Sequence, residues 1–265
     1  MAPRIAPRKI DVAGVRRALD VRQTLHERLA ASTPRLHAPA GAETGVARPT
    51  TGTVDGTRPL TLVVLGESTA LGIGCDRPEE ILAARLAQRL ADREGRPVSW
   101  RTAAADGATA DHCTTHLVDR LAGDPVDVVA VALGVNDLIR GRRPAVFARD
   151  VEALVTRVRG LQPGAVVVLS GLPDPTTMPL LPAPVAALLA RRAATLDERV
   201  AATAERHRMA YVPVRDVPLK AEHLAADGFH PGPAGCVLWA EQLAAAIPPL
   251  DQRRPARWAG GWPVD

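Results

Sequence analysis

From about residue 59 onward, apolar positions fall into two alternating patterns: short unbroken runs, and longer stretches where they return every three or four residues. The first pattern is that of strands buried on both faces, the second that of amphipathic helices. LTLVVLG, Leu60 to Gly66, reads as the first strand, and about Pro78 to Arg93 as a helix whose Ile81, Leu82, Leu86 and Leu90 share one face. VSWRTAAADG gives a second strand ending near Gly107, with a helix from about Thr109 to Leu121 behind it. VDVVAVALG supplies a third strand ending at Gly134, followed by a helix between about Pro144 and Gly160. AVVVLSG is a fourth strand ending near Gly171, a long helix runs from about Pro184 to His207, AYVPV is a short fifth strand, and about Pro233 to Ala246 forms the last helix. Such alternation predicts an α/β fold built from βαβ units, with a parallel sheet and right-handed crossovers.

The N-terminal part reads differently. Val12, Val15, Leu19, Leu25 and Leu29 predict an amphipathic helix over about residues 9 to 30, suited to packing on the body of the protein. Ser32 to Pro59 is rich in Pro, Gly and Thr and has no hydrophobic period, as expected of a linker or a loosely wrapped arm. The expected organisation is an N-terminal helix and linker over 1–58, an α/β domain over 59–250 and a tail over 251–265.

Composition narrows the class. Apolar residues make up 46% and charged residues 23%, a globular balance. No run reaches the roughly 18 apolar residues of a membrane span, so integral membrane association is not expected. Arg, Lys and Asp interrupt the first twenty residues, where a secretory signal needs about 7 to 15 apolar ones in a row. Cys75, Cys113 and Cys236 form an odd set without CxxC spacing, which fits reduced thiols in a cytoplasmic protein better than a disulfide framework. The net charge of +4 comes from 33 basic against 29 acidic residues, and aromatics are 3%, so nucleic acid is not an expected partner.

In open parallel sheets ligands gather beyond the carboxyl ends of the strands. Ser68 lies there in GESTALGIG, Gly107 ends the second strand, Asn136 and Asp137 follow the third, and Asp227-Gly228-Phe229-His230 sits near the C-terminus. These residue types are the parts of acyl transfer. A serine hydroxyl is a weak nucleophile that needs a base, His230 can be that base, and Asp227 can fold under the imidazole in a tight turn and accept its Nδ1 proton. The N–H groups of Ser68 and Gly107 and the amide of Asn136 are candidate donors to an oxyanion. A structural role is expected for Asp137.

With these residues the sequence resembles the SGNH hydrolases, also called GDSL esterases and lipases. GESTALG resembles the GDSxxxG block, ADGATA the block with the oxyanion glycine, GVND the GxND block and DGFHP the DxxHP block, all in order. SGLPDPTTMPLLPAPVAALLARRAATLDERV is also similar to a segment of bacterial, non-secreted members. Glu67 departs from the family, which usually has Asp there. The resemblance implies a flavodoxin-like three-layer sandwich, a five-stranded parallel sheet of order 2-1-3-4-5 with helices on both faces, and ester hydrolysis through an acyl-enzyme. It implies no metal or organic cofactor.

Each candidate has a plainer reading. Ser68 alone would be an ordinary helix cap and Asn136 an ordinary turn residue. Asp111, His112, Cys113 and His116 suggest zinc, but no further ligand lies at a telling spacing, and a polar helix surface with a partly buried thiol is expected. GESTALGIG lacks the phosphate-loop ending GK[ST] and the GxSxG of α/β-hydrolases. Phe229, Met178 and Arg140 are candidate substrate contacts, and Trp239 is expected in the core. The expected activity is hydrolysis of small-molecule carboxylic esters with short acyl or acetyl groups. The alternatives are acyl transfer by the same triad and a non-catalytic binding protein on the same fold. The residues leave oligomeric state open.

Overall fold

A computed structural model describes residues 35–52, 58–217 and 219–250. The helix expected over about 9 to 30, the first part of the linker and the tail over 251–265 lie outside the described residues.

The parallel sheet contains β2 (Leu60–Gly66), β3 (Val98–Ala104), β4 (Val128–Ala132), β5 (Val166–Ser170) and β6 (Ala210–Val212). Across the sheet they run β3-β2-β4-β5-β6, which is the expected 2-1-3-4-5 order. A sixth strand corrects the expected count of five: β1 (Thr44–Ala47) pairs antiparallel with the β3 edge, Thr44 opposite Arg101 and Ala47 opposite Val98. TGVA buries only Ala47, so it carries no period for a sequence reading to find. Its pairing rests on backbone hydrogen bonds, which cover an edge that would otherwise be open.

The strands bury both faces, and alternate side chains sort into two cores. Leu60, Leu62 and Val64 join Val128 and Ala130 on one face, under α2 (Leu82–Glu94) and α6 (Pro233–Ala246). Val63 and Leu65 join Val129, Val131 and Val167 on the other, under the helical segment 110–121, α4 (Pro144–Leu161) and α5 (Ala183–Arg206). Burying a leucine of this kind contributes about 1.5–3 kcal/mol, so two complete faces account for strands that read as unbroken apolar runs.

The segment 110–121 is not the even helix expected. One α-helical turn passes into a π-helical stretch at Cys113–Leu117 and then a 3₁₀ turn at Val118–Leu121. The hydroxyls of Thr114 and Thr115 donate to the carbonyls of Ala110 and Asp111 at 2.9 Å each. Such bonds back to the preceding turn compete with the regular ladder.

Strand order decides where a site forms. The chain leaves β2 toward β3, then crosses back to β4, so the loops after β2 and β4 diverge and open a crevice at the carboxyl edge.

Candidate active site

Ser68 enters that crevice at the start of α1 (Ser68–Leu71), a single helical turn closed by Gly72. The turn can begin directly off the sheet because Gly66 has no side chain: a Cβ there would lie 1.9 Å from the Ala132 carbonyl oxygen. From the other side, Leu224 and Pro231 bridge the two arms of a tight turn, and the Ala225 N–H donates to the His230 carbonyl at 2.8 Å. Asp227 and His230 stand at the tip of this turn.

The side chains meet in sequence. His230 Nε2 lies 3.0 Å from Ser68 Oγ, and His230 Nδ1 lies 2.6 Å from Asp227 Oδ2. Asp227 Oδ1 accepts the N–H groups of Phe229 at 2.9 Å and His230 at 3.0 Å, so the carboxylate is fixed to the backbone that carries the histidine. Burial acts to raise the Asp227 carboxyl. The bond from His230 and the backbone N–H groups outweigh it and hold the group below the ordinary carboxylate range. An ionised Asp227 in this position orients the imidazole with Nε2 toward the serine.

Across the crevice, α3 (Val135–Ile139) follows β4. Asn136 Nδ2 donates to Glu67 Oε2 at 2.6 Å, and the Asn136 and Val135 N–H groups donate to the two Glu67 oxygens at 3.0 and 3.1 Å. Glu67, whose longer side chain departs from the usual Asp, therefore holds the Asn136 loop beside the nucleophile. Burial raises its carboxyl to about 7, against the opposing pull of those three donors. One Asn136 amide hydrogen is engaged by Glu67 and the other is available to a ligand.

Gly107 follows β3 with φ +70°, and its carbonyl accepts from Arg140 Nη2 at 2.8 Å. Arg140, a candidate substrate contact, thus braces the Gly107 loop and is not among the residues that line the cavity. Asp137 is fully buried. Its Oδ2 accepts the Ala110 N–H at 3.0 Å, which ties the loop after β4 to the segment after β3, and burial raises its carboxyl to about 6.

The candidate zinc residues go separate ways. The rings of His112 and His116 lie 4.6 Å apart, while Cys113 turns inward toward the Gly66 carbonyl, and burial pushes its thiol up to about 12. No group of three or more His, Cys, Asp or Glu able to hold a metal occurs among the described residues.

A cavity of about 150 Å³ opens beside Ser68 and His230. Met178 and Phe229 are among the residues that line it. So are Val214, Val217, Leu219 and Leu224, which the sequence reading passed over, although their place just after the fifth strand marks them as carboxyl-edge residues. Trp239, expected in the core, lies between core and cavity and forms part of the wall.

Residues 64–237 match the GDSL-like Lipase/Acylhydrolase family. The chain is similar to the GDSL-like esterase Rv1075c of Mycobacterium tuberculosis, 31% identical over 203 residues that cover 70% of this chain and 61% of the relative. It is also similar to the esterase TesA of Pseudomonas aeruginosa, 32% identical over 115 residues that cover 43% of this chain and 55% of the relative. The chain thus spans less than two thirds of the length of either. Among solved structures, a TesA crystal structure superposes with a TM-score of 0.59 at 26% identity, covering 70% of this chain and 97% of that one. The lipase Lip_vut3 from a goat rumen metagenome shares the fold at a TM-score of 0.57 and 16% identity, over 71% of this chain and 97% of that one.

Proposed function

Because the chain belongs to the GDSL-like lipase/acylhydrolase family, we propose that it is a serine esterase that cleaves carboxylic esters through an acyl-enzyme on Ser68. The observation that carries this reading is the continuous relay from Asp227 through His230 to Ser68 at 2.6 and 3.0 Å.

In the first half-reaction His230 Nε2 takes the hydroxyl proton as Ser68 Oγ attacks the ester carbonyl. Negative charge collects on the carbonyl oxygen, where the N–H groups of Ser68 and Gly107 and the amide of Asn136 serve as donors. The tetrahedral intermediate collapses, the C–O bond breaks, and His230 returns its proton to the leaving alkoxide. Water, deprotonated by the same imidazole, then attacks the acyl-enzyme, and the carboxylic acid leaves as Ser68 recovers its proton. Asp227 stays ionised throughout and stabilises the imidazolium of each step.

Three buried free thiols support a reducing compartment, the cytoplasm, as the place of action. No helix among the described residues is long and apolar enough to cross a membrane.

A fluorophosphonate probe should label Ser68, and turnover of p-nitrophenyl esters should vanish in Ser68→Ala. Full activity in that variant overturns the assignment. Competing alcohols added to the assay separate hydrolysis from acyl transfer: the acid alone is expected, and an ester product indicates a transferase.

A further inference from the structure

The cavity beside Ser68 has a shape and chemistry that limit what it can hold. Among the described residues, Glu67 and Asp106 are the only carboxylates that line it, and no arginine or lysine does. Glu67 is already committed to Val135 and Asn136. Most of the remaining wall is apolar and includes Met178, Val214, Val217, Leu219, Leu224 and Trp239. An acetylated sugar would lose its hydration there and find few partners in return, whereas an alkyl group gains from every methylene it buries.

Size is set as well as polarity. The whole cavity, catalytic end included, measures about 150 Å³, which limits an apolar occupant to about a benzene-sized group of roughly six carbons. Trp239 is not free to turn aside, because its Nε1–H donates to Ser170 Oγ at 2.8 Å, and Ser170 is fixed at the buried end of β5.

We propose that this cavity seats an unbranched apolar arm of about six carbons, and that Trp239 closes its end and sets the chain-length limit. The substrate class is then an ester of a medium-length alkyl chain rather than an acetyl ester of a polar molecule. This inference rests on the Ser68 reading. The arm belongs to either the acyl or the alcohol half of the ester, since both meet at the serine.

The test uses the full chain with two series: p-nitrophenyl esters from acetate to dodecanoate, and alkyl acetates from methyl to decyl. In one series kcat/KM should rise by about fourfold per methylene to a maximum near six carbons and fall beyond it. The series with the maximum identifies the half that occupies the cavity. Trp239→Ala should move the maximum to longer chains, and Val217→Phe, which fills the cavity from its partly exposed rim, should move it to shorter ones. Val217→Phe provides the test on its own if Trp239→Ala does not fold. A flat profile, a preference for acetate and methyl in both series, or a maximum that stays in place in the folded variants overturns the inference. Fluorophosphonate labelling of Ser68 run in parallel keeps the two readings apart: a labelled enzyme with the wrong profile refutes the chain-length limit alone, and an unlabelled, inactive enzyme refutes the esterase.

Discussion

Asn136, proposed as an oxyanion donor, has its side-chain amide held by Glu67 at 2.6 Å. A carboxylate that accepts three N–H groups fixes both the loop and the amide direction, so the amide is set before substrate arrives. Electrostatic stabilisation of this kind depends on donors that need no reorganisation during reaction. Asn136→Ala should therefore lower kcat by about 100- to 1,000-fold, roughly 2.7–4 kcal/mol, with a much smaller effect on KM. Steady-state kinetics on the best ester checks this, and an unchanged kcat removes Asn136 from the reaction. Ser68 and Asn136 stand out in the sequence as candidates because they follow strands, and Asp227 and His230 because their spacing suits a tight turn. Glu67 was legible only as a departure. Its partner lies 69 positions away, and no local pattern encodes that pairing.

At the scale of elements, the relay depends on two loops that carry no common sequence signal. Residues 72–75 follow the serine and Pro231 follows the histidine, and Gly74 lets them touch. Its φ is +107°, and a Cβ there would lie 2.5 Å from the Pro231 carbonyl oxygen. Gly74→Ala should strain the backbone and push the histidine turn off Ser68. A loss of kcat well in excess of any fall in Tm is the expected result, measured by ester turnover and thermal melting on the same sample. Equal activity shows that the turn adapts. β2 spans the expected Leu60–Gly66 and α6 the expected Pro233–Ala246, whereas α2 begins at Leu82, because Pro78–Glu80 forms a separate 3₁₀ turn and Ile81 is extended. β1 and the unevenness of segment 110–121 leave no period in the sequence, since the first is made by backbone pairing and in the second threonine hydroxyls compete for carbonyls.

At the scale of the whole molecule, two buried carboxyls make stability depend on pH. The ordinary values of Glu67 and Asp137 are 4.5 and 3.8, and burial raises them to about 7 and about 6 in the folded protein. Between each pair of values the folded state binds more protons than the unfolded chain, so stability is greatest at the acidic end and declines as pH rises through the folded value. For Glu67 the decline is on the order of 3 kcal/mol between about pH 4.5 and 7. Urea unfolding of Glu67→Gln at several pH values should give a lower stability overall, because an amide faces donors with a donor, but a shallower slope over that window. A slope equal to that of the natural chain shows that Glu67 does not titrate there.

The sequence by itself determined the layers, the order of elements and the residue types that stand at the carboxyl ends of the strands, because periodicity and strand-end position are local properties. Tertiary structure decided which of those residues meet. The return crossover from β3 to β4 brings Asn136 beside Ser68, and the bridge between Leu224 and Pro231 carries His230 to within 3.0 Å of the serine. Tertiary structure also turned Trp239 from a core residue into the cavity wall, an assignment that depends on which element packs against which. Distance in space between residues far apart in sequence is set by the sum of all the packing contacts, and no short pattern records it.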